Sequence, residues 1–328
     1  MPVSRPDLRC GACGREETSG PIYPATCACG GLWRAVDPAI YLEGLPDDLA
    51  HRTPIWRDPR DAALLWKRED YSRTGSFKDR GAVVLAAWAR KCRAKRLVAD
   101  SSGSAALAAA SAAARNGLPL RVHVPETLLR ERAEVLSAFG AEVVALGTRE
   151  DAAARALLES ASAFYASHVH HPAFTAGTSL AGLEALAQLG NGTPSWWVVP
   201  VGNGSLLLGL AQALERAGRP DIRWIAVQAA ACAGLLRPGV HGATAATGIA
   251  IADPARRVEI MTTIERSHGA VLEASEDDLA RAREALWHRG AAVESASAAA
   301  LVGVEQLRAR GERDPILGFL TGSGHRGG

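Results

Sequence analysis

Short runs in which nearly every residue is apolar alternate along this chain with longer stretches rich in Ala and Leu. The runs RLVAD (96–100), LRVHV (120–124), AEVVALG (141–147), SWWVVPVG (195–202), IRWIAVQ (222–228) and PILGFLTG (315–322) have the length of strands. The stretches 104–116, 127–139, 150–162, 176–190, 205–217 and 276–289 have the length and composition of helices, and a further helix is predicted from about Asp79 to Lys91. A strand that is apolar at successive positions has both faces covered, as in a parallel sheet between two layers of helix. The pattern therefore predicts an α/β architecture, whose topology right-handed crossovers restrict. The segment SAALAAASAAAR (104–115) reads as closely packed helix, because a strand and a turn frame it.

With 328 residues the chain is long enough for two lobes. Lys plus Arg number 37 against 35 Asp plus Glu, so no basic field points to nucleic acid or an anionic membrane. The opening MPVSRPDLRC has no apolar signal-peptide core, no apolar run reaches membrane-spanning length, and six cysteines are too few for a disulfide scaffold. A reducing, cytoplasmic setting is the expectation. Four of the cysteines fall in CGACGREETSGPIYPATCACGG, and Asp37 to Asp61, rich in Pro and Asp, reads as a linker.

Ligands in open parallel sheets sit where strand carboxyl ends meet helix amino ends. Three junctions fit. DSSGSAAL (100–107) offers Ser101, Ser102, Gly103 and Ser104 at a helix start, where amides and hydroxyls suit a carboxylate; plain serine capping is the alternative. PVGNGSLLLG (200–209) offers Gly202, Asn203, Gly204 and Ser205 as a phosphate cradle without a Walker lysine, and a tight turn uses the same residues. TGSFKDRG (74–81) puts Lys78 at the start of a helix, whose positive end and partial burial both disfavour an ammonium ion. Such a lysine suits Schiff-base chemistry with an aldehyde. In FLTGSGHRGG, Thr321 closes an apolar strand with a hydroxyl available to a ligand. A reactive lysine, a phosphate loop, a carboxylate loop and a strand-end hydroxyl together describe a site for pyridoxal phosphate and an amino acid.

These segments resemble the fold-type II pyridoxal-phosphate enzymes, and among them threonine synthase and its relatives. The resemblance covers almost the whole chain and includes RTPIW (52–56), HVPE (123–126), FGAEVVALG (139–147) and VESASAAAL (293–301). It implies that Lys78 carries the cofactor, that Ser101, Ser102 and Gly103 hold the substrate carboxylate while Ser104 stands beside the cofactor's ring oxygen, that Gly202 to Ser205 bind the cofactor phosphate, and that Thr321 meets the pyridine nitrogen. It implies a lobed fold: a four-cysteine, zinc-ribbon-like segment over 1–36, a large cofactor lobe over 37–84 and 176–328, and a small substrate-loop lobe over 85–175. Ser104 stands where the family usually has Asn, which leaves ring position and substrate choice open.

The implied activity is elimination or replacement on a small amino acid, with conversion of O-phospho-L-homoserine and water to L-threonine and phosphate foremost. β-Replacement on O-phosphoserine or O-acetylserine, serine or threonine dehydration, and a non-catalytic scaffold are the alternatives. Thr74 and Arg326 are candidates for the substrate's second anion, with Ser72, Arg73 and Arg80 near them in sequence. The family further implies a homodimer. Cys10-x2-Cys13 and Cys27-x-Cys29 read as ligands of a structural zinc, although the second pair is one residue shorter than a standard knuckle. His168 to His171, HVHH, reads as packing and hydrogen bonding, since no acidic or Cys partner lies nearby in sequence.

Overall fold

The computed structural model describes residues 6–45 and 52–326. In chain order, β1 (Leu8–Cys10), β2 (Glu16–Glu17), β3 (Trp33–Ala35), β4 (Ile55–Arg57) and β5 (Leu64–Arg68) come first. Then come α1 (Lys78–Lys91), β6 (Leu97–Asp100), α2 (Ser104–Asn116), β7 (Leu120–Val124), α3 (Arg130–Ala138), β8 (Glu142–Ala145), α4 (Arg149–Glu159) and β9 (Phe164–Tyr165). The order closes with α5 (Pro172–Leu189), β10 (Trp196–Pro200), α6 (Ser205–Arg216), β11 (Arg223–Ala229), α7 (Arg257–Arg266), β12 (Ala270–Ala274), α8 (Glu276–His288), α9 (Ser295–Ala309) and β13 (Ile316–Leu320). These elements form two compact units, residues 1–50 with 78–178 and residues 51–77 with 179–328.

The first unit holds a parallel sheet ordered β8-β7-β6-β9 and a small antiparallel sheet ordered β2-β1-β3. Alanines let α1 and α2 approach closely: Ala82, Ala86 and Ala89 on one and Ala106, Ala110 and Ala113 on the other are buried. The cysteine segment is fixed to α1 by polar bonds as well as packing. Trp88 Nε1 donates to Ser19 Oγ (2.7 Å), and Ser19 Oγ and Tyr41 OH both donate to the buried Asp7 carboxylate (2.6 and 2.9 Å). The stretch 37–61 is accordingly no simple linker. Tyr41 is buried edge-on against Trp88 (4.6 Å between ring centres), and Ile55–Arg57 pairs with β5.

The second unit is built on one six-stranded sheet, ordered β12-β11-β10-β13-β5-β4, parallel except for the β4 edge. Its strands are apolar at successive positions because each face has its own core. Val198, Ile225, Val227 and Leu320 pack with α8 and α9 residues such as Leu286 and Leu301. Trp197, Val199, Trp224 and Phe319 pack with Leu206 and Leu210 of α6 and Ile260 of α7. Within β5 the fully buried Lys67 donates to Thr53 O (2.7 Å) and Gln188 Oε1 (2.9 Å) and pairs with Glu184. Among the described residues, no helix is long and apolar enough to cross a membrane.

Candidate active site

In the second unit the chain leaves β10 and enters α6 through Gly202, Asn203 and Gly204. Gly204 caps α6 with a φ of +80°, and no side chain caps the helix, so its positive amino end faces the turn. A Cβ at 202 would lie 3.0 Å from Ile251 Cγ1, and one at 204 would overlap Ile260 Cδ1. Neither position has room for a side chain, so the backbone amides of the turn are left uncovered by one.

At the end of β13, Thr321 is buried and both of its backbone groups are engaged. Its N–H donates to Ser297 Oγ (2.8 Å) and its carbonyl accepts the Phe77 N–H (3.1 Å). Its hydroxyl has no hydrogen-bond partner among the described residues. The lysine segment is held to this strand end, because Ser76 bridges to Gly322 and the Ser323 N–H donates to Gly75 O (2.9 Å). The Ser72 and Ser76 hydroxyls are buried without partners among the described residues. Thr74 is half-buried and Arg73 exposed, each with interactions of its own. Arg326 ends a final 3-10 turn, and its side chain lies outside the described residues.

In the first unit Lys78 is the first residue of α1 and is half-buried, followed by the buried Asp79 and Arg80. The serine loop enters α2 without a serine cap. Gly103 occupies the cap position, its N–H donates to Ser101 Oγ (3.2 Å), and Ser102 O accepts from Arg132 Nη1 (3.4 Å). The Ser104 hydroxyl makes no hydrogen bond among the described residues. The plain-capping alternative therefore fails, and the loop presents half-buried hydroxyls at an uncapped helix start.

Two residues next to this loop were not legible in the sequence. Asp100 and His168 line one small pocket with Ser101, Ala86, Ala99 and Ala109. Tyr165 OH donates to Asp100 Oδ1 (2.5 Å), and burial raises the Asp100 carboxyl above the usual carboxylate range. Burial lowers His168 to about 3, and the nearby Lys78 charge adds to the effect. The other histidines follow expectation: His170 Nδ1 lies 2.9 Å from Ser167 Oγ, and His171 is buried against Tyr23 and Phe164.

The sequence pattern of the family described as "Pyridoxal-phosphate dependent enzyme" matches residues 47–322. The chain belongs to this family. The threonine synthase of Synechocystis sp. is 30% identical to this pyridoxal-phosphate dependent enzyme, over 93% of this chain and 86% of that protein. The L-threonine ammonia-lyase of Geobacter sulfurreducens is 31% identical over 69% of this chain but only 58% of its own length. Among solved structures, the T.th. threonine deaminase superposes with a TM-score of 0.73 at 33% identity, covering 84% of this chain and 93% of that one. Processed threonine deaminase isoform 2 from Solanum lycopersicum shares the fold, with a TM-score of 0.77 at 22% identity, covering 88% of this chain and 89% of that one. The residues present fit the cofactor of the family. The second unit has a glycine turn leading into a helix start without a side-chain cap, and at the neighbouring strand end a hydroxyl without a partner among the described residues; Lys78 is the residue that follows Phe77.

The pyridoxal-phosphate dependent enzyme also carries a cysteine cluster. The Sγ atoms of Cys10, Cys13, Cys27 and Cys29 lie within 4.8 Å of one another. Cys10 to Cys29 is 3.5 Å and Cys13 to Cys27 is 3.7 Å. Zinc–thiolate bonds of about 2.3 Å in a tetrahedron give S–S edges of about 3.8 Å, so the donor set fits zinc. The short Cys-x-Cys pair converges because Gly30, at φ +83°, closes the turn with its N–H on Cys27 O (2.8 Å).

Proposed function

We propose that this enzyme is a lyase of the threonine-synthase type, converting O-phospho-L-homoserine and water to L-threonine and phosphate. The observation that carries this reading is the alignment with the Synechocystis threonine synthase over 93% of the chain. Bound pyridoxal phosphate supplies an electron sink for negative charge at the substrate α-carbon. Gly202 to Ser205 would hold its phosphate at the start of α6, the Thr321 hydroxyl would face its ring nitrogen, and Lys78 would hold its aldehyde end and serve as the base that moves protons along the substrate carbon chain. Ser101, Ser102 and the amides that open α2 receive the substrate carboxylate. A zinc ion on the four cysteines completes the small sheet, in keeping with a reducing compartment.

The test is the visible spectrum of the purified protein with pyridoxal phosphate, titrated with O-phosphohomoserine, O-phosphoserine, O-acetylserine, serine and threonine. A spectral change with release of phosphate and formation of threonine from O-phosphohomoserine supports the proposal. A second reading, an ammonia-lyase acting on threonine or serine, draws on the 31% identity to the Geobacter protein. It predicts ammonia and a 2-oxo acid from threonine or serine, with O-phosphohomoserine inert. Absence of a cofactor band overturns both.

A further inference from the structure

Asp100 closes β6, stands directly before the serine loop and lines one pocket with it. That pocket is mostly apolar, with Ala82, Ala86, Ala99 and Ala109 along it, and its polar groups are Asp100, Ser101 and His168. An acid in such a wall ordinarily has a basic partner, because an isolated carboxylate is costly away from water. Among the described residues no ion pair or hydrogen bond joins a cation to Asp100. The hydrogen bond it does have is the one that Tyr165 OH donates to Oδ1 (2.5 Å).

The charged and titratable groups on the surrounding elements do not neutralise it. On β7, His123 lies opposite Asp100 in the strand register, but its Nε2 is 2.8 Å from Glu159 Oε2. On α4, Arg149 is exposed, and on α3, Arg132 donates to Ser102 O (3.4 Å). On the segment after β9, burial and the Lys78 charge at the start of α1 keep His168 neutral. Burial of Asp100 outweighs the hydrogen bond from Tyr165 and the pull of Arg149 and His123, so the proton is held more tightly than by an ordinary carboxylate. Meanwhile Ser101 Oγ accepts the Gly103 N–H (3.2 Å), which leaves the Ser101 proton to be donated to a ligand. A carboxylate received there brings two carboxyl groups together with no cation between them, and like charges so placed do not both ionise readily.

We infer that Asp100 is a substrate-binding residue: its protonated carboxyl donates a hydrogen bond to the carboxylate held by the serine loop, and its ionised form repels that carboxylate. The inference rests on the proposed role of Ser101 and Ser102 as receivers of the substrate carboxylate. The Tyr165 hydroxyl occupies Oδ1 and leaves Oδ2 to carry the proton. Because that bond favours the ionised acid, Tyr165 also sets the pH at which affinity falls. Binding of an amino acid is therefore complete while Asp100 is protonated and weakens as the pH rises through its titration.

The test loads wild type, Asp100→Asn and Tyr165→Phe with pyridoxal phosphate and titrates each with L-threonine, a ligand under either reading of the function. The readout is the Kd for L-threonine, taken from the change in the visible cofactor band across a pH series. Titration of Lys78 and of the threonine amine is common to all three proteins, so the ratio of wild-type to variant Kd isolates Asp100. Asp100→Asn still accepts from Tyr165 but cannot ionise. The wild-type Kd should rise about tenfold relative to it from the acidic to the alkaline end of the series. Tyr165→Phe removes a bond that favours the ion, so its loss of affinity should move to higher pH. A wild-type to Asp100→Asn ratio that stays constant with pH overturns the inference, whatever the thermal stability of the variant. If Asp100→Asn does not fold, a Tyr165→Phe curve that coincides with wild type overturns it equally. Failure of L-threonine to alter the band of loaded wild type at any pH would instead remove the carboxylate role of the serine loop, and the inference with it.

Discussion

Gly204 is where one added methyl group has a defined consequence. Its φ of +80° and the position of Ile260 leave no place for a side chain. Gly204→Ala should destabilise the protein by about 1–2 kcal/mol and weaken pyridoxal phosphate binding, measured by urea unfolding and cofactor titration. Lys78→Ala should abolish the Schiff-base absorption band and lower turnover by at least about a hundredfold, while thermal stability of the apoprotein stays close to wild type. His168 gives a prediction in pH. Its unfolded form takes a proton below about pH 6.5, whereas the folded form holds off to about 3. Its stabilising contribution is therefore complete above pH 6.5 and is lost as the pH falls toward 3, with a slope of at most about 1.4 kcal/mol per pH unit. His168→Asn should flatten that slope in urea midpoints measured from neutral to acidic pH. Lys78, Ser101 to Ser104, Gly202 to Ser205 and Thr321 could be named as candidates from the sequence because each lies in a short local motif. Asp100 and His168 could not, because the pocket they line is made by residues distant in sequence, as with Tyr165 on Asp100.

Among the elements, those predicted best are bounded by turn chemistry. The helix expected over 104–116 is Ser104–Asn116, closed by Gly117 at φ +63°. The strand expected over 120–124 is Leu120–Val124. Elements that escaped notice break the patterns that a sequence displays. Strand β5, LLWKR, carries a lysine that reads as solvent-facing, yet Lys67 is fully buried because Thr53, Glu184 and Gln188 satisfy it. Lys67→Met should destabilise the protein by about 3 kcal/mol, since it strands a partly buried carboxylate; a loss under about 1 kcal/mol in urea unfolding would contradict that. Helix α9, SASAAALVGVEQLRA, is buried along much of its length and shows no polar face from which to read a helical period. The ribbon gives a prediction at the same scale. Elemental analysis should find one zinc per chain, and Cys13→Ser should lower its affinity sharply. Without the metal, amides near Ser19 should lose hydrogen-exchange protection, and with them the Trp88 indole anchored to Ser19 Oγ.

At the scale of the whole molecule, an α/β fold with parallel sheets was legible, but the order and register of the strands were not. Alternation of apolar runs and helical stretches reports layers, and it is silent about which strand lies beside which. Strand β5 is bracketed by β4 and β13, with Leu64 opposite Ile316 and Arg68 opposite Leu320. Nothing local in residues 64–68 announces a partner about 250 positions away, because register between distant strands is a property of the assembled sheet. On refolding, amides of β5 and β13 should gain exchange protection together and later than those of β6 and β7, whose pairing closes a much shorter loop.

That pairing has a consequence for how the protein is made. Strand β5, followed shortly by the lysine segment, leaves the ribosome about 250 residues ahead of its inner neighbour β13. At roughly 5–20 residues per second, the apolar LLW of β5 waits on the order of tens of seconds for the strand that shelters it. During that interval the nascent chain exposes the edge on which its central sheet will be completed. Chaperone occupancy on ribosome-bound chains should therefore peak between the synthesis of Arg68 and that of Leu320.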